Sequence, residues 1–155
     1  MRKEDEPLVA ELESLLRGGH AHMSFTEAVA DLPEAVIGVK PDGLPYSIWQ
    51  LVEHIRIAQA DMLDFCRNTN YKPLDWPDEY WPKLPQPEHM AAFQASVDAV
   101  HQDQNSFIEL LKTGDLYKPI PHGDGQTLLR EALQIADHNS YHTAQIVILR
   151  RLLLD

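Results

Sequence analysis

Two histidines, His138 and His142, stand four residues apart in a segment whose apolar residues recur at helical spacing. On a helix, that spacing puts both imidazoles on one face, roughly 6 Å apart at Cβ, where both can reach a single ion. Ile135, Ile146 and Leu149 share the stripe, so the two rings point inward. His54 stands the same way on an earlier segment, between Leu51 and Ala58, with Met62 further along the apolar face. Three inward imidazoles are costly to bury without partners. One shared divalent cation would satisfy all three; the alternative is three separate core histidines, each bonded to a carbonyl or carboxylate. The residue pattern leaves both open. Three neutral imidazoles leave positions for water or substrate, and a zinc-like ion so held lowers the pKa of water or of a thiol towards neutrality. Ligand type does not choose the metal: Zn and Ni lead, and Fe and Mn also accept three histidines.

The remaining candidates carry less. Asp137 and Glu53 adjoin ligand positions, but neighbours one residue away point elsewhere on a helix, which predicts that both are solvated. Asn139, Tyr141 and Gln145 surround the His138/His142 pair, and Gln145 lies near it by spacing. His20 and His22 alternate and show no third ligand, so they make a poor second metal site. His89, His101 and His122 read as surface or capping residues. Cys66, the single cysteine, lacks a basic partner and reads as structural. There is no glycine-rich phosphate loop, no G-x-S-x-G and no C-x-x-C.

The elements that must position these side chains are helical. Leu8, Leu12, Leu15 and Leu16 predict a first helix over about residues 4–17, ended by Gly18-Gly19. Ser24-x-x-Glu27 reads as a capping box opening a short turn that Pro33 stops. Ser47-x-x-Gln50 is a second capping box. The stripe Ile48, Leu51, Val52, Ile55, Ala58, Met62 and Phe65 then predicts a helix over about 47–67. Residues 68–87 hold five prolines among Tyr71, Trp76, Tyr80 and Trp81, so they form a long irregular connection. Such a segment is either a flap over a pocket or a loop pinned down by its aromatics. A third long helix follows Pro87 as a first-turn proline and ends at Gly114 as a C′ glycine. The last begins near Thr127 and closes with Arg150 and Arg151 against the negative end of its dipole. No segment alternates with period two.

The 155 residues suit one domain, 1–155, with 44% hydrophobic residues and room for a real core. A net charge of −11 disfavours nucleic acid and anionic membrane surfaces as partners. A lone cysteine excludes an intrachain cystine framework. The acidic N-terminal residues do not make a signal peptide, and no apolar run reaches the length of a membrane span. The expectation is a cytoplasmic protein.

Two stretches carry a resemblance. Ser47-Ile-Trp-Gln-Leu-Val-Glu-His54 places a histidine early in the second long helix. His138-Asn-Ser-Tyr-His142, followed by Ala144-Gln-Ile-Val-Ile-Leu-Arg150, supplies an H-x-x-x-H on the last. In these motifs, in helix order and in the proline-rich connection, the chain resembles the DinB-like (YfiT-like) superfamily. The resemblance implies a four-helix bundle, up-down-down-up, with a divalent metal held by His54, His138 and His142. Many relatives are transferases or isomerases that use a low-molecular-weight thiol, and many others have no established activity. The resemblance therefore implies a small-molecule substrate and a metal-dependent thiol S-transferase or hydrolase-like enzyme. The alternative is a non-catalytic, stress-related bundle with a structural or vestigial metal. A homodimer is also expected, from the family's tendency and from apolar residues such as Trp49 that fall off the core stripe.

Overall fold

The computed structural model describes residues 3–18 and 20–154. Regular structure among them is helical: a 3₁₀ turn (Lys3–Asp5), then α1 (Glu6–Arg17), α2 (Phe25–Val29), α3 (Glu34–Ile37), α4 (Ile48–Arg67), α5 (Met90–Thr113) and α6 (Leu128–Leu154). The described residues form no strand, only an isolated bridge between Pro119 and Thr127. None of these helices is long and apolar enough to cross a membrane.

Both capping boxes form. Ser47 Oγ accepts the Gln50 N–H at 3.2 Å, and the Gln50 side chain accepts the Ser47 N–H at 3.3 Å. Glu27 N–H donates to Ser24 Oγ at 3.3 Å, and Ser24 N–H donates to Glu27 Oε2 at 2.8 Å. Each box satisfies donors that a helix start leaves free. α6 opens on Thr127, whose Oγ1 accepts the Arg130 N–H at 3.2 Å.

Other boundaries differ from the sequence reading. α5 begins at Met90, and its cap is His89, whose Nδ1 accepts the Ala92 N–H at 3.0 Å; Pro87 lies outside the helix. Gly114 does not adopt the left-handed C′ conformation, since its φ is −86°. It is required for space: a Cβ there would sit 2.5 Å from Leu128 Cδ1 and 2.9 Å from the Leu110 carbonyl oxygen. Gly18, at φ 70°, does terminate α1 as expected, while Gly19 lies outside the described residues. α3 was not anticipated, because four residues are too few to show a period.

α4 is the central helix, packed along both α5 and α6. Burial falls into two apolar clusters. One joins Val29 and Ile37 to Leu51, Ile55, Val97, Val100, Ile146 and Leu149. The other joins Leu12 and Leu16 to Leu63, Phe107, Leu111, Ile135 and Ala136. Between them, on α4 and α6, lies a layer of buried or half-buried polar side chains: His54, Gln59, His138, Asn139, His142 and Thr143. Arg150 closes the first cluster by donating to the carbonyls of Ala28 and Ala30, where α2 ends.

Candidate metal centre

The polar layer brings His54, His138 and His142 together. One nitrogen from each lies within 4.8 Å of the other two, and no other such group of three or more His, Cys, Asp or Glu occurs among the described residues. His54 Nε2 and His138 Nε2 are 3.1 Å apart. The i, i+4 pair on α6 faces α4 across the groove, with His138 and His142 ring centroids 4.6 Å apart.

Each ring also meets a fixed oxygen on its far side. His54 Nδ1 donates to the Tyr80 carbonyl at 2.8 Å. His142 Nδ1 pairs with Gln145 Oε1 at 2.7 Å, and His138 Nδ1 with Asn139 Oδ1 at 3.3 Å. Asn139 Nδ2 in turn donates to Gln59 Oε1 at 2.8 Å. Imidazoles that bind metal characteristically use their second nitrogen in this way, which fixes tautomer and ring plane. Burial depresses all three basicities, and His142 is taken down to about 4, helped by the neighbouring His138 and His54 rings. All three are therefore neutral at pH 7, the form that offers a lone pair to an ion. Donor type, protonation and spacing fit a divalent transition metal. A tetrahedral zinc ion, for comparison, sets its ligand nitrogens roughly 3.3 Å apart, given Zn–N bonds of about 2.0–2.1 Å.

The proline-rich connection builds one wall. Trp81 lies flat between His54 and Tyr46, with centroids 3.8 and 4.0 Å away. Tyr80 and Tyr71 donate their hydroxyls to the two oxygens of Asp61 on α4, at 2.7 and 3.0 Å. Three of the four aromatics thus pin the segment to the bundle. Trp76 does not; it is 71% exposed, tilted against Tyr80 at the edge of the pocket. The open side is a pocket of about 350 Å³, lined by the three histidines with Asp61, Met62, Trp76, Tyr80 and Gln134.

Other sequence candidates fall elsewhere. Glu53, expected in solvent, is buried and paired with Arg56 at 2.8 Å, because α4 is covered on two sides. Asp137 is exposed, as expected. Tyr141 is exposed and touches His142 only with its ring edge. His22 bonds to Ser140 and to the Met23 carbonyl, away from the centre. His122 donates to the Phe65 carbonyl at 2.9 Å. Burial pushes the Cys66 thiol up to about 12, so it is no nucleophile. Sequence reasoning missed Gln59 and Asp61 as parts of the site; it named Tyr80 and Trp81 among the aromatics of 68–87 but not their contacts with His54.

Comparison with known proteins agrees with this architecture. No curated protein and no solved structure gives a significant match. A family model, described as the DinB superfamily, matches residues 19–146. That span covers α2 to most of α6 and includes all three clustered histidines, and the chain belongs to the DinB superfamily.

Proposed function

We propose that the protein is a metal-dependent enzyme acting on a small electrophile, as a thiol S-transferase or a hydrolase, with His54, His138 and His142 holding the ion. The observation that carries this reading is the open side of the centre. Three imidazoles converge, no carboxylate or thiolate of the described residues joins them, and a pocket of about 350 Å³ reaches the cluster. Structural zinc sites close their coordination with a fourth protein ligand, whereas catalytic ones leave a position free. A bound Zn- or Ni-type ion would supply Lewis acidity and lower the pKa of water or of a low-molecular-weight thiol.

The chain's own residues supply the rest. His54 is held by the Tyr80 carbonyl and by the face of Trp81, which also keeps water from that side. Met62 and Trp76 offer apolar and aromatic surface to a small molecule in the pocket. Asp61 makes the wall acidic, which favours neutral or cationic substrates over anionic ones.

Elemental mass spectrometry on the purified, tag-free protein tests the centre. Near-stoichiometric transition metal in the wild type, lost in His142→Ala, is the expected result. Metal absent from both, even after incubation with zinc or nickel, would return the three histidines to the status of core residues. With metal in place, turnover of activated esters or of thiol-accepting electrophiles, abolished by the same substitution, separates the enzyme from a bundle with a structural ion.

The proposed homodimer would use the outer face of α6, where Tyr141, Ile148 and Leu152 are exposed on one stripe. Trp49, by contrast, is half-buried against the first apolar cluster.

A further inference from the structure

We propose that Gln59, acting through Asn139, decides which nitrogen of His138 carries the proton and so presents His138 Nε2 to the centre as a lone pair. The inference rests on reading the three histidines as a metal site.

The bonds form a chain with one fixed end. The Val100 carbonyl on α5 accepts from Gln59 Nε2 at 2.7 Å. Gln59 Oε1 accepts from Asn139 Nδ2 at 2.8 Å, and Asn139 Oδ1 faces His138 Nδ1 at 3.3 Å. A backbone carbonyl can only accept. It therefore draws the amide nitrogen of Gln59 towards itself, which turns Gln59 Oε1 towards Asn139. Asn139 must answer with its own amide nitrogen, and its oxygen is left for His138. At that oxygen only an Nδ1–H can bind. Reversing any link sets two oxygens, or two N–H groups, against each other. Gln59 is fully buried, so water cannot relieve a conflict at its amide. An unpaired buried polar group is costly, which fixes the Gln59 end of the chain and, through it, the side that Asn139 turns to His138.

His54 reaches the same state by a shorter route, since the Tyr80 carbonyl takes its Nδ1–H. Two lone pairs then face each other across the 3.1 Å between His54 Nε2 and His138 Nε2. That arrangement is repulsive until a cation lies between them. The polar layer is thus wired in advance as a cation receptor, and the wiring spans three helices: α5 supplies the carbonyl, α4 the glutamine, α6 the asparagine and the histidine. Gln59 is a positioning residue and touches no ligand of the pocket.

Long-range ¹H–¹⁵N spectra of the full chain, labelled at histidine and free of metal, read the tautomer of His138 directly. Wild type is expected to show the Nδ1–H form before any metal is added. Gln59→Met should give a mixture of tautomers, and its zinc affinity, measured by chelator competition, should fall on the order of 10- to 100-fold. Asn139 is only half-buried, so Asn139→Leu tests the same chain if Gln59→Met folds poorly. Asn139→Asp keeps an acceptor for the Nδ1–H, so it should hold the tautomer that Asn139→Leu loses, while its second oxygen, set against Gln59 Oε1, should lower stability. An Nε2–H His138 in the wild type, or an unchanged tautomer and affinity in a folded Gln59→Met, overturns the relay; where Gln59→Met does not fold, an unchanged Asn139→Leu does the same. The two readings fail separately: a wild type with the Nδ1–H form that binds no zinc overturns the metal site and not the tautomer assignment.

Discussion

The three histidines carry a pH dependence whose direction follows from their burial. Each has its basicity depressed below the ordinary value of 6.5, and His142 lies at about 4. Above pH 6.5 the rings are neutral whether the chain is folded or not. As pH falls from about 6.5 to about 4, the unfolded chain takes up protons that the folded chain refuses, so stability falls across that window. Below it, the folded state protonates too and the loss stops growing. Urea midpoints of the metal-free protein should therefore drop between pH 6.5 and 4, and less steeply in His142→Gln. Equal slopes would mean that other groups are responsible. Loaded protein should release its ion over the acid side of the same range, because protons compete for the ligand nitrogens.

At the scale of the elements, the connection between α4 and α5 is held by one carboxylate. Asp61→Asn leaves a single acceptor for two hydroxyls, Tyr71 and Tyr80. The expected cost is about 1.5–3 kcal/mol for a hydrogen bond to a charged group. Hydrogen exchange should quicken at the Tyr71 and Tyr80 amides, which now bond to Asn68 and Pro77 carbonyls; unchanged protection would place the anchor elsewhere. Gly114→Ala drives a methyl into Leu128 and the Leu110 carbonyl. It should destabilise by about 1–3 kcal/mol, the usual effect of overpacking, and a denaturant titration reads this directly. Much of this level was legible in the sequence. The boundaries of α4 followed from a capping box and an apolar stripe, and the i, i+4 histidines from spacing alone. Glu53 was misplaced because the apolar stripe marks only one buried face, while α4 is flanked by two helices. Gln59 was invisible because a buried glutamine and a solvated one are the same letter, and only the tertiary fold tells them apart. Tyr80 and Trp81 lie in a segment without periodicity, where no pattern says which aromatic turns inward.

For the molecule as a whole, charge and surface make distinct predictions. The net charge of −11 should keep the protein from binding duplex DNA at physiological salt. Sedimentation at micromolar concentration should show a dimer that Ile148→Lys dissociates, since that substitution charges the middle of the apolar stripe on α6; a wild-type monomer excludes the association. The connection and the histidine cluster, meanwhile, cannot be treated as independent parts. Tyr80 holds His54 with its carbonyl and grips Asp61 with its hydroxyl, two points on the same helix. On the proposed metal reading, whatever orders the segment raises affinity for the ion, and thermodynamic linkage makes the effect reciprocal by the same factor. A protease probing residues 68–87 is therefore a gauge of occupancy: the factor by which zinc suppresses opening of the segment equals the factor by which opening weakens zinc, so one measurement yields the other.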